Sequence, residues 1–379
     1  MRAFTLVATV LLGGALVAIF LLPSFPGAVY EAPEAPPLVT TPLPALPVEP
    51  PVTHLLTPEP LKAIYMTSWV AGTKSIRDRL VKLLDDTELN ALVIDIKDYT
   101  GQNALTDGRM PDIKEFIKTL HEKEVYVIGR IAVFQDPLFV KERPELAVKR
   151  ASDGGVWKDR KGITWLDAAG EEAWERAVTL ARESYALGFD EINFDYIRFP
   201  SDGDMEDIAY PFYDKTTTTK PEVLRQFFAY LDKELSDLPL PISADLFGLT
   251  TSAKSDLGIG QILEDAAPHF DYLAPMVYPS HFAAGFEGFK NPAANPYEVV
   301  KYSMDEAVKK LTSTTTPAFA SASARQGKLR PWLQDFDLGA DYTADLVRAQ
   351  IEATYDAGLT SWMLWDPSNK YTRDALLKE

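Results

Sequence analysis

The stretch of sequence that decides the fold runs from residue 188 to residue 200 and reads Gly188-Phe189-Asp190-Glu191-Ile192-Asn193-Phe194-Asp195-Tyr196-Ile197-Arg198-Phe199-Pro200. Apolar and polar side chains alternate through its middle, which is the pattern of a β-strand with two different faces. Ile192 and Phe194 suit a face covered by helices, so Asn193 and Asp195 point to the opposite face. A charged side chain inside a sheet is costly unless it is paired or used. The stretch therefore predicts a buried strand with Asp195 near its functional end.

Apolar runs of similar length recur on both sides of this strand. They lie at residues 63–69, 91–98, 125–134, 241–248, 271–279, either 318–324 or 329–335, and 361–367. Helical stretches separate these runs. Strands that alternate with helices over residues 61–379 predict an α/β protein with a single (β/α)8 TIM barrel. An open, doubly wound parallel sheet is the alternative.

The N-terminal part of the chain has a different composition. Residues 4–22 are almost wholly apolar and follow Arg2, and a helix of that length can span a bilayer. We interpret residues 1–22 as a signal-anchor or a cleaved signal peptide, which predicts a membrane-anchored extracytoplasmic domain or a secreted one. Residues 23–60 hold 12 of the 28 prolines, so they predict an extended Pro-rich linker before the domain of residues 61–379.

Composition excludes several classes of function. The chain has 379 residues, a formal net charge of -17, four histidines and no cysteine. Nucleic acid as a partner is not expected, because phosphate binding needs clustered Lys and Arg. Disulfides and thiolate sites are impossible, and the histidines lack metal-ligand spacing, so we expect no cofactor and no transition-metal site. A calcium site built from carboxylates alone stays open. Neither a G-x-S-x-G elbow nor a phosphate-binding glycine loop is present.

Two aspartates are the candidate catalytic residues. In a barrel of this type, the C-terminal ends of the strands carry the active site. Alternation sends Asp195 inward from the fourth strand and Asp245 inward from the fifth, so the two carboxylates would flank one cavity. Asp95 is either a supporting carboxylate or one half of a buried ion pair with Lys97 or Arg130.

Further polar and aromatic residues near the predicted strand ends are candidates for substrate binding. They are Arg130, Trp157, Trp165, Arg198, Tyr278, His281, Trp365 and Asp366. Aromatic faces can stack on sugar rings, although ordinary core packing is the alternative for Trp157, Trp165, Tyr278 and Trp365. For Arg198 the alternative is a surface ion pair. The long segments at residues 135–168 and 201–220 would form walls around the site, because loops of that length are often functional.

Five stretches of the sequence resemble an uncharacterised bacterial family described as glycosyl hydrolase domains with a (β/α)8 barrel. They lie at residues 133–137, 143–147, 153–157, 165–167 and 188–200. The resemblance covers roughly residues 61–370 and implies a barrel that hydrolyses glycosidic bonds.

Two larger classes of barrel resemble the chain more distantly. At the catalytic Glu of the chitinase-type strand motif this sequence has Ile197. The α-amylase-type pattern places a nucleophilic Asp after the fourth strand, matching Asp195. It takes its acid from the fifth strand, where Asp245 stands in place of the usual Glu.

These patterns together predict a glycoside hydrolase that acts on an envelope or extracellular polysaccharide or oligosaccharide. Asp195 would serve as nucleophile or base, and Asp245 as the protonated acid. Arg198 would orient Asp195 or bind a substrate oxygen. The rival hypothesis is a non-catalytic carbohydrate-binding envelope protein on a degenerate barrel. An open cleft shared by the two aspartates would favour the enzyme, and an Asp245 sealed by Lys or Arg would favour the binding protein.

Overall fold

The computed structural model describes residues 52–313 and 327–378. Parallel strands form a closed barrel in chain order, and the last strand pairs with the first. The strands are β1 (Lys62–Met66), β2 (Ala91–Lys97), β3 (Tyr126–Ala132), β4 (Glu191–Asp195), β5 (Ile242–Phe247), β6 (Tyr272–Met276), β7 (Trp332–Gln334) and β8 (Trp362–Trp365). Residues Lys62 and Ile64 of β1 lie opposite Trp362 and Leu364 of β8. The single barrel is therefore confirmed, and the open sheet was wrong.

Helices cover the outside of the barrel. Seven longer or connecting helices span Lys74–Asp85, Ile113–His121, Glu171–Leu187, Lys220–Leu235, Leu263–Ala266, Pro296–Ser313 and Ala344–Asp356, within the part of the chain that the structure describes. Local sequence explains their ends. Thr219 and Glu222 form a capping box at the start of one helix, and Gly188 ends another with a left-handed φ of 113°. The strand β4 begins three residues after that glycine, at Glu191.

Strand alternation separates an outer core from an inner one. Ile192 and Phe194 of β4 pack in the outer cluster between sheet and helices. The inner cluster contains Leu61, Ala63, Tyr65, Val93, Ile128, Ala274, Trp332 and Met363. Asn193 and Asp195 share the inward direction and are also buried. The barrel interior therefore combines apolar side chains with buried polar ones, among them the ion pair of Glu191 with Arg330 at the N-terminal end of β4.

The seventh strand was the least certain element of the sequence interpretation. Trp332–Gln334 falls inside the 329–335 alternative. The other alternative, residues 318–324, lies outside the described residues. This strand has only three residues, so it carries too little alternation to stand out in the sequence.

The predicted membrane segment at residues 1–22 and the linker up to residue 51 also lie outside the described residues. Over residues 52–313 and 327–378, no helix is both long and apolar enough to cross a membrane. The end of the predicted linker, in contrast, packs on the barrel. Leu55 N donates to Asp190 Oδ1 at 2.7 Å, and the His54 ring stacks on Tyr185 at 3.9 Å. Packed residues thus begin before the predicted boundary at residue 61.

Asp190 holds Leu55, near the end of the predicted linker, against the N-terminal end of the barrel. Replacement of Asp190 should therefore destabilise the fold. Besides Leu55 N, its carboxylate accepts from Val127 N at 2.8 Å and contacts His121 Nε2 at 2.9 Å. Asp190→Ala would leave buried donors unpaired, so we expect the free energy of unfolding to fall by about 2–4 kcal/mol. Urea unfolding of the full chain, followed by circular dichroism, measures the effect.

The control is Asp237→Ala, which removes an exposed ion pair with Arg182. This control should leave the unfolding midpoint almost unchanged, because exposed pairs contribute little. Equal losses in both variants would contradict an anchoring role for Asp190.

Candidate functional site

Arg130 lies at the centre of the polar layer inside the barrel. Its Nη1 donates to Asp95 Oδ1 at 2.7 Å, its Nη2 donates to Asp195 Oδ2, and its Nε donates to Asp245 Oδ2 at 3.3 Å. All four side chains are buried. They come from the neighbouring strands β2 to β5. Arg130 pairs with Asp95 and Asn193 in the sheet, and Asn193 pairs with Ser243, so Asp195 and Asp245 lie two residues further toward the C-terminal ends of β4 and β5. One guanidinium therefore holds three carboxylates together, including both predicted catalytic residues; we call this set the Arg130 cluster.

Asp245 is the most enclosed member of the Arg130 cluster, with 1% of its surface exposed. Its Oδ1 accepts from Asn193 Nδ2 at 2.9 Å and from Trp332 Nε1 at 2.7 Å. Burial, followed by the nearby charge of Asp195, raises the pKa of Asp245 to about 7, against the opposing effect of Arg130. A substantial fraction of Asp245 therefore carries a proton at neutral pH.

Asp95 forms the buried ion pair with Arg130 that was one of its two predicted roles. Its other oxygen accepts a hydrogen bond from the Tyr65 hydroxyl. Burial raises the pKa of Asp95, and Arg130 opposes that shift. Lys97 does not join this pair: it lies 3.2 Å from Asp136 instead. A register irregularity between Asp95 and Lys97 separates the two side chains.

A cavity of about 400 Å³ opens above the Arg130 cluster at the C-terminal ends of the strands. That volume falls within the usual range of small-molecule sites. Six of the predicted residues line it: Arg130, Asp195, Arg198, Tyr278, His281 and Trp365. Asp95 and Asp245 lie beneath the wall rather than on it. Asp195 is thus the carboxylate of the cluster that faces the cavity.

The aromatic wall of the cavity is fixed by stacking. Trp365 stacks on Tyr65 at 3.9 Å and lies 4.9 Å from the Arg130 guanidinium. Burial raises the pKa of Tyr278 well above its usual range, and the nearby Asp245 adds to the shift. The Tyr278 hydroxyl therefore remains a proton-bearing donor at the edge of the Arg130 cluster.

Three predicted binding residues do not line the cavity. Trp157 and Trp165 are buried, and their indole N–H groups donate to Asp204 O at 2.8 Å and Asp159 Oδ2 at 3.1 Å. Their segment folds back on the barrel, with Trp165 bridged to Gln135. Asp366 is also buried and accepts from Ser368 N in the turn after β8. The contacts of these three residues are those of packing and turn formation.

Sequence reasoning missed several residues of the site. Tyr196 lines the cavity with a positive φ of 52°, a backbone conformation that costs about 1–3 kcal/mol and often marks functional sites. Its N–H donates to Asp195 Oδ1, which helps to fix that carboxylate. Alternation along β1 could have identified Tyr65 as an inward residue. Nothing in the sequence pattern indicates the conformation of Tyr196 or the contact of Trp332 with Asp245.

A larger cleft of about 1060 Å³ lies outside the barrel mouth, among the loops after β1 to β3. Trp69, Arg109 and Arg176 are among its lining residues. It contains no member of the Arg130 cluster, so the smaller cavity is the better candidate for chemistry. Within the described residues, no group of three or more His, Asp or Glu side chains could hold a metal ion.

Solved structures with the same fold include glycoside hydrolases. The PgaB (BpsB) glycoside hydrolase domain from Bordetella bronchiseptica is 14% identical and aligns over 86% of this chain and 99% of its own, with a TM-score of 0.55. Alpha-L-fucosidase isoenzyme 2 from Paenibacillus thiaminolyticus is 12% identical over 83% of this chain and 47% of its own, with a TM-score of 0.52. At these identities the likeness shows the barrel fold alone.

A hypothetical protein from Ruminiclostridium thermocellum ATCC 27405 has a higher identity of 31%, over 52% of this chain and 98% of its own, with a TM-score of 0.43. No curated protein matches the sequence. The family described as "Putative glycosyl hydrolase domain" matches residues 63–371, which include every barrel strand except the first residue of β1. The chain therefore belongs to this glycosyl hydrolase domain family, as the resemblance centred on residues 188–200 indicated.

Proposed function

We propose that the protein is a glycoside hydrolase that cleaves an envelope or extracellular polysaccharide. The observation that carries the proposal is the position of Asp195. It is held by Arg130 and faces a cavity at the catalytic end of the barrel, in a chain of a glycosyl hydrolase domain family. The other two carboxylates of the Arg130 cluster, Asp95 and Asp245, are not among the residues that line the cavity.

Asp195 suits the role of nucleophile or base. Its hydrogen bonds from Arg130 and from Tyr196 N fix the direction of the carboxylate. The transition state of glycosidic cleavage resembles an oxocarbenium ion, so positive charge develops at the sugar. Even with Asp245 protonated, the carboxylates of Asp95 and Asp195 outnumber the one guanidinium, and this excess of negative charge would stabilise this state.

Asp245 is our proposed acid. It has the raised pKa that an acid needs, and its Oδ2 makes only the 3.3 Å contact with Arg130. That oxygen is the one that could hold the proton, and donation to a substrate oxygen would require Asp245 to become accessible from the cavity. Asp195 and Asp245 bond to the same guanidinium, which keeps the two carboxylates close together.

The enclosure of Asp245 also favours a second candidate function. An acid that is 1% exposed and bonded to Arg130 is the arrangement expected of a degenerate barrel that binds carbohydrate without cleaving it. Such a protein would keep the cavity and its wall of Tyr278 and Trp365. The two functions differ in product release, and not in binding.

Hydrolysis of a polysaccharide panel separates the two functions. We expect the wild type to release reducing ends from at least one glycan. Asp195→Asn should lower the rate by at least about a hundredfold, and so should Asp245→Asn, because each removes one half of the acid–base pair. Asp153→Asn, at an exposed loop position, is the matched control and should retain full activity.

Each other outcome revises the proposal in a defined way. Loss of activity in Asp195→Asn alone would keep the hydrolase but move the acid to another residue, with Asp95 or Asp366 next. Glycan binding without product release from any substrate would contradict the hydrolase and favour the binding protein.

The pH profile tests the role of Asp245 independently. Because its pKa is raised to about 7, the proton that the reaction needs is present below that pH and is lost above it. We therefore expect kcat/KM to fall as pH rises through about 7. The residual activity of Asp245→Asn should lack this alkaline limb. If kcat/KM of that variant still falls over the same pH range, the fall is caused by the titration of another group.

A further inference from the structure

The cavity contains a second arginine whose surroundings differ from those of Arg130. Arg198 lines the cavity, but it has no carboxylate within 4.0 Å among the described residues. Its hydrogen bonds there come from Nη1 alone, to Phe199 O at 3.1 Å and Ser201 Oγ at 3.2 Å. We propose that Arg198 binds a carboxylate group of the substrate, so that the substrate is an acidic glycan containing uronic acid. This inference rests on the proposed function and adds the substrate class to it.

The Arg198 guanidinium is held in place by aromatic rings rather than by an acid. It lies 4.8 Å from the Trp165 ring, 5.6 Å from the Tyr196 ring and 6.0 Å from the Phe247 ring. Stacking of this kind fixes the plane of the guanidinium while leaving its outward N–H groups free to donate. Trp165, a predicted sugar-stacking residue, thus contributes to the cavity by supporting Arg198 from behind.

The acidic residues nearest to Arg198 do not neutralise it at short range. Asp195 is bound by Arg130, and Asp202 acts on Arg198 only from beyond ion-pair distance. Asp159 is occupied by Trp165 Nε1, Gln135 Nε2 and the backbone N–H groups of residues 161 and 163. A partly desolvated cation without a counter-ion is unfavourable, and an anionic ligand would remove that cost.

A second cation reinforces the same wall. Lys161 lines the cavity and also has no carboxylate within 4.0 Å among the described residues. The pKa of His281, on the cavity wall, is lowered mainly by burial and to a smaller extent by the positive charge of Lys161. Two cations without a carboxylate at short range, among the described residues, therefore line one cavity.

The two ends of the cavity therefore differ in charge. The floor, at Asp195, is negative and suits the developing positive charge of the sugar. The wall, at Arg198 and Lys161, is positive and suits a substituent of the opposite sign. Arg binds a carboxylate through two parallel N–H donors, which gives direction as well as affinity. A sugar that carries its carboxylate toward Arg198 would place its reacting bond toward Asp195.

Methyl esterification provides the matched probes, because it removes the charge of a uronic acid and keeps the sugar and the linkage. The ligands are trisaccharides from galacturonan, mannuronan and hyaluronan, each as the free acid and as the methyl ester. Binding is measured by calorimetry to the full chain carrying Asp195→Asn, which prevents turnover. We expect at least one acid to bind at least tenfold more tightly than its ester, with a difference that decreases at high salt.

Substitutions locate the effect. In the same background, Arg198→Gln should bring acid and ester to equal affinity, and Arg198→Lys should restore part of the difference. Arg79→Gln, at an exposed position of the helix Lys74–Asp85, should leave the affinities for acid and ester unchanged. If no acid binds more tightly than its ester, or if the preference survives Arg198→Gln, the inference is overturned.

Failure of this inference is distinguishable from failure of the proposed function. Release of products from a neutral glycan, with acid and ester bound equally, would leave the hydrolase standing and remove the acidic substrate. Acid-selective binding that depends on Arg198, without product release from the wild type, would leave the carboxylate site standing and contradict the hydrolase.

Discussion

The bonding of one buried guanidinium to three buried carboxylates is the constraint on which the rest of the site depends. Arg130 reaches Asp95, Asp195 and Asp245 at once because all four side chains point inward from the neighbouring strands β2 to β5. Ionised groups at this depth are tolerated only when they are paired and hydrogen-bonded. Removal of Arg130 would leave three carboxylates in contact without a counter-charge. The arginine therefore fixes where the aspartates point.

The same cluster gives its aspartates different environments. Asp195 faces the cavity and takes two strong donors, whereas Asp245 is enclosed and has a pKa raised to about 7. Divergent environments of this kind are how one site provides both a base and an acid. The floor of the cavity is negative through this cluster, and its wall is positive through Arg198. The negative charge therefore lies where the sugar would develop positive charge, and the positive charge lies where the carboxylate of an acidic sugar would bind.

Much of this arrangement could be predicted from the sequence, because strand alternation is a local property. It indicated the barrel, the outward Ile192 and Phe194, and the inward Asp195 and Asp245. Alternation does not indicate how deep a side chain lies inside the barrel. It therefore did not show that Asp195 faces the cavity while Asp245 lies beneath the cavity wall. The burial of Trp157 and Trp165 depends on how a long segment folds back, and the left-handed Tyr196 depends on its surroundings. Those features arise from contacts between distant parts of the chain.

The measurement that tests the central claim most directly is a pH titration of the aspartate carboxyl groups by NMR, with ¹³C-labelled aspartate in the full chain. The account predicts one carboxyl resonance with a midpoint near pH 7, which is absent from the spectrum of Asp245→Asn. Such a result would show that the Arg130 cluster holds a proton-bearing acid, Asp245, beside Asp195. If no resonance assigned to Asp245 titrates near pH 7, and it is instead ionised at all pH values above about 5, the account is contradicted.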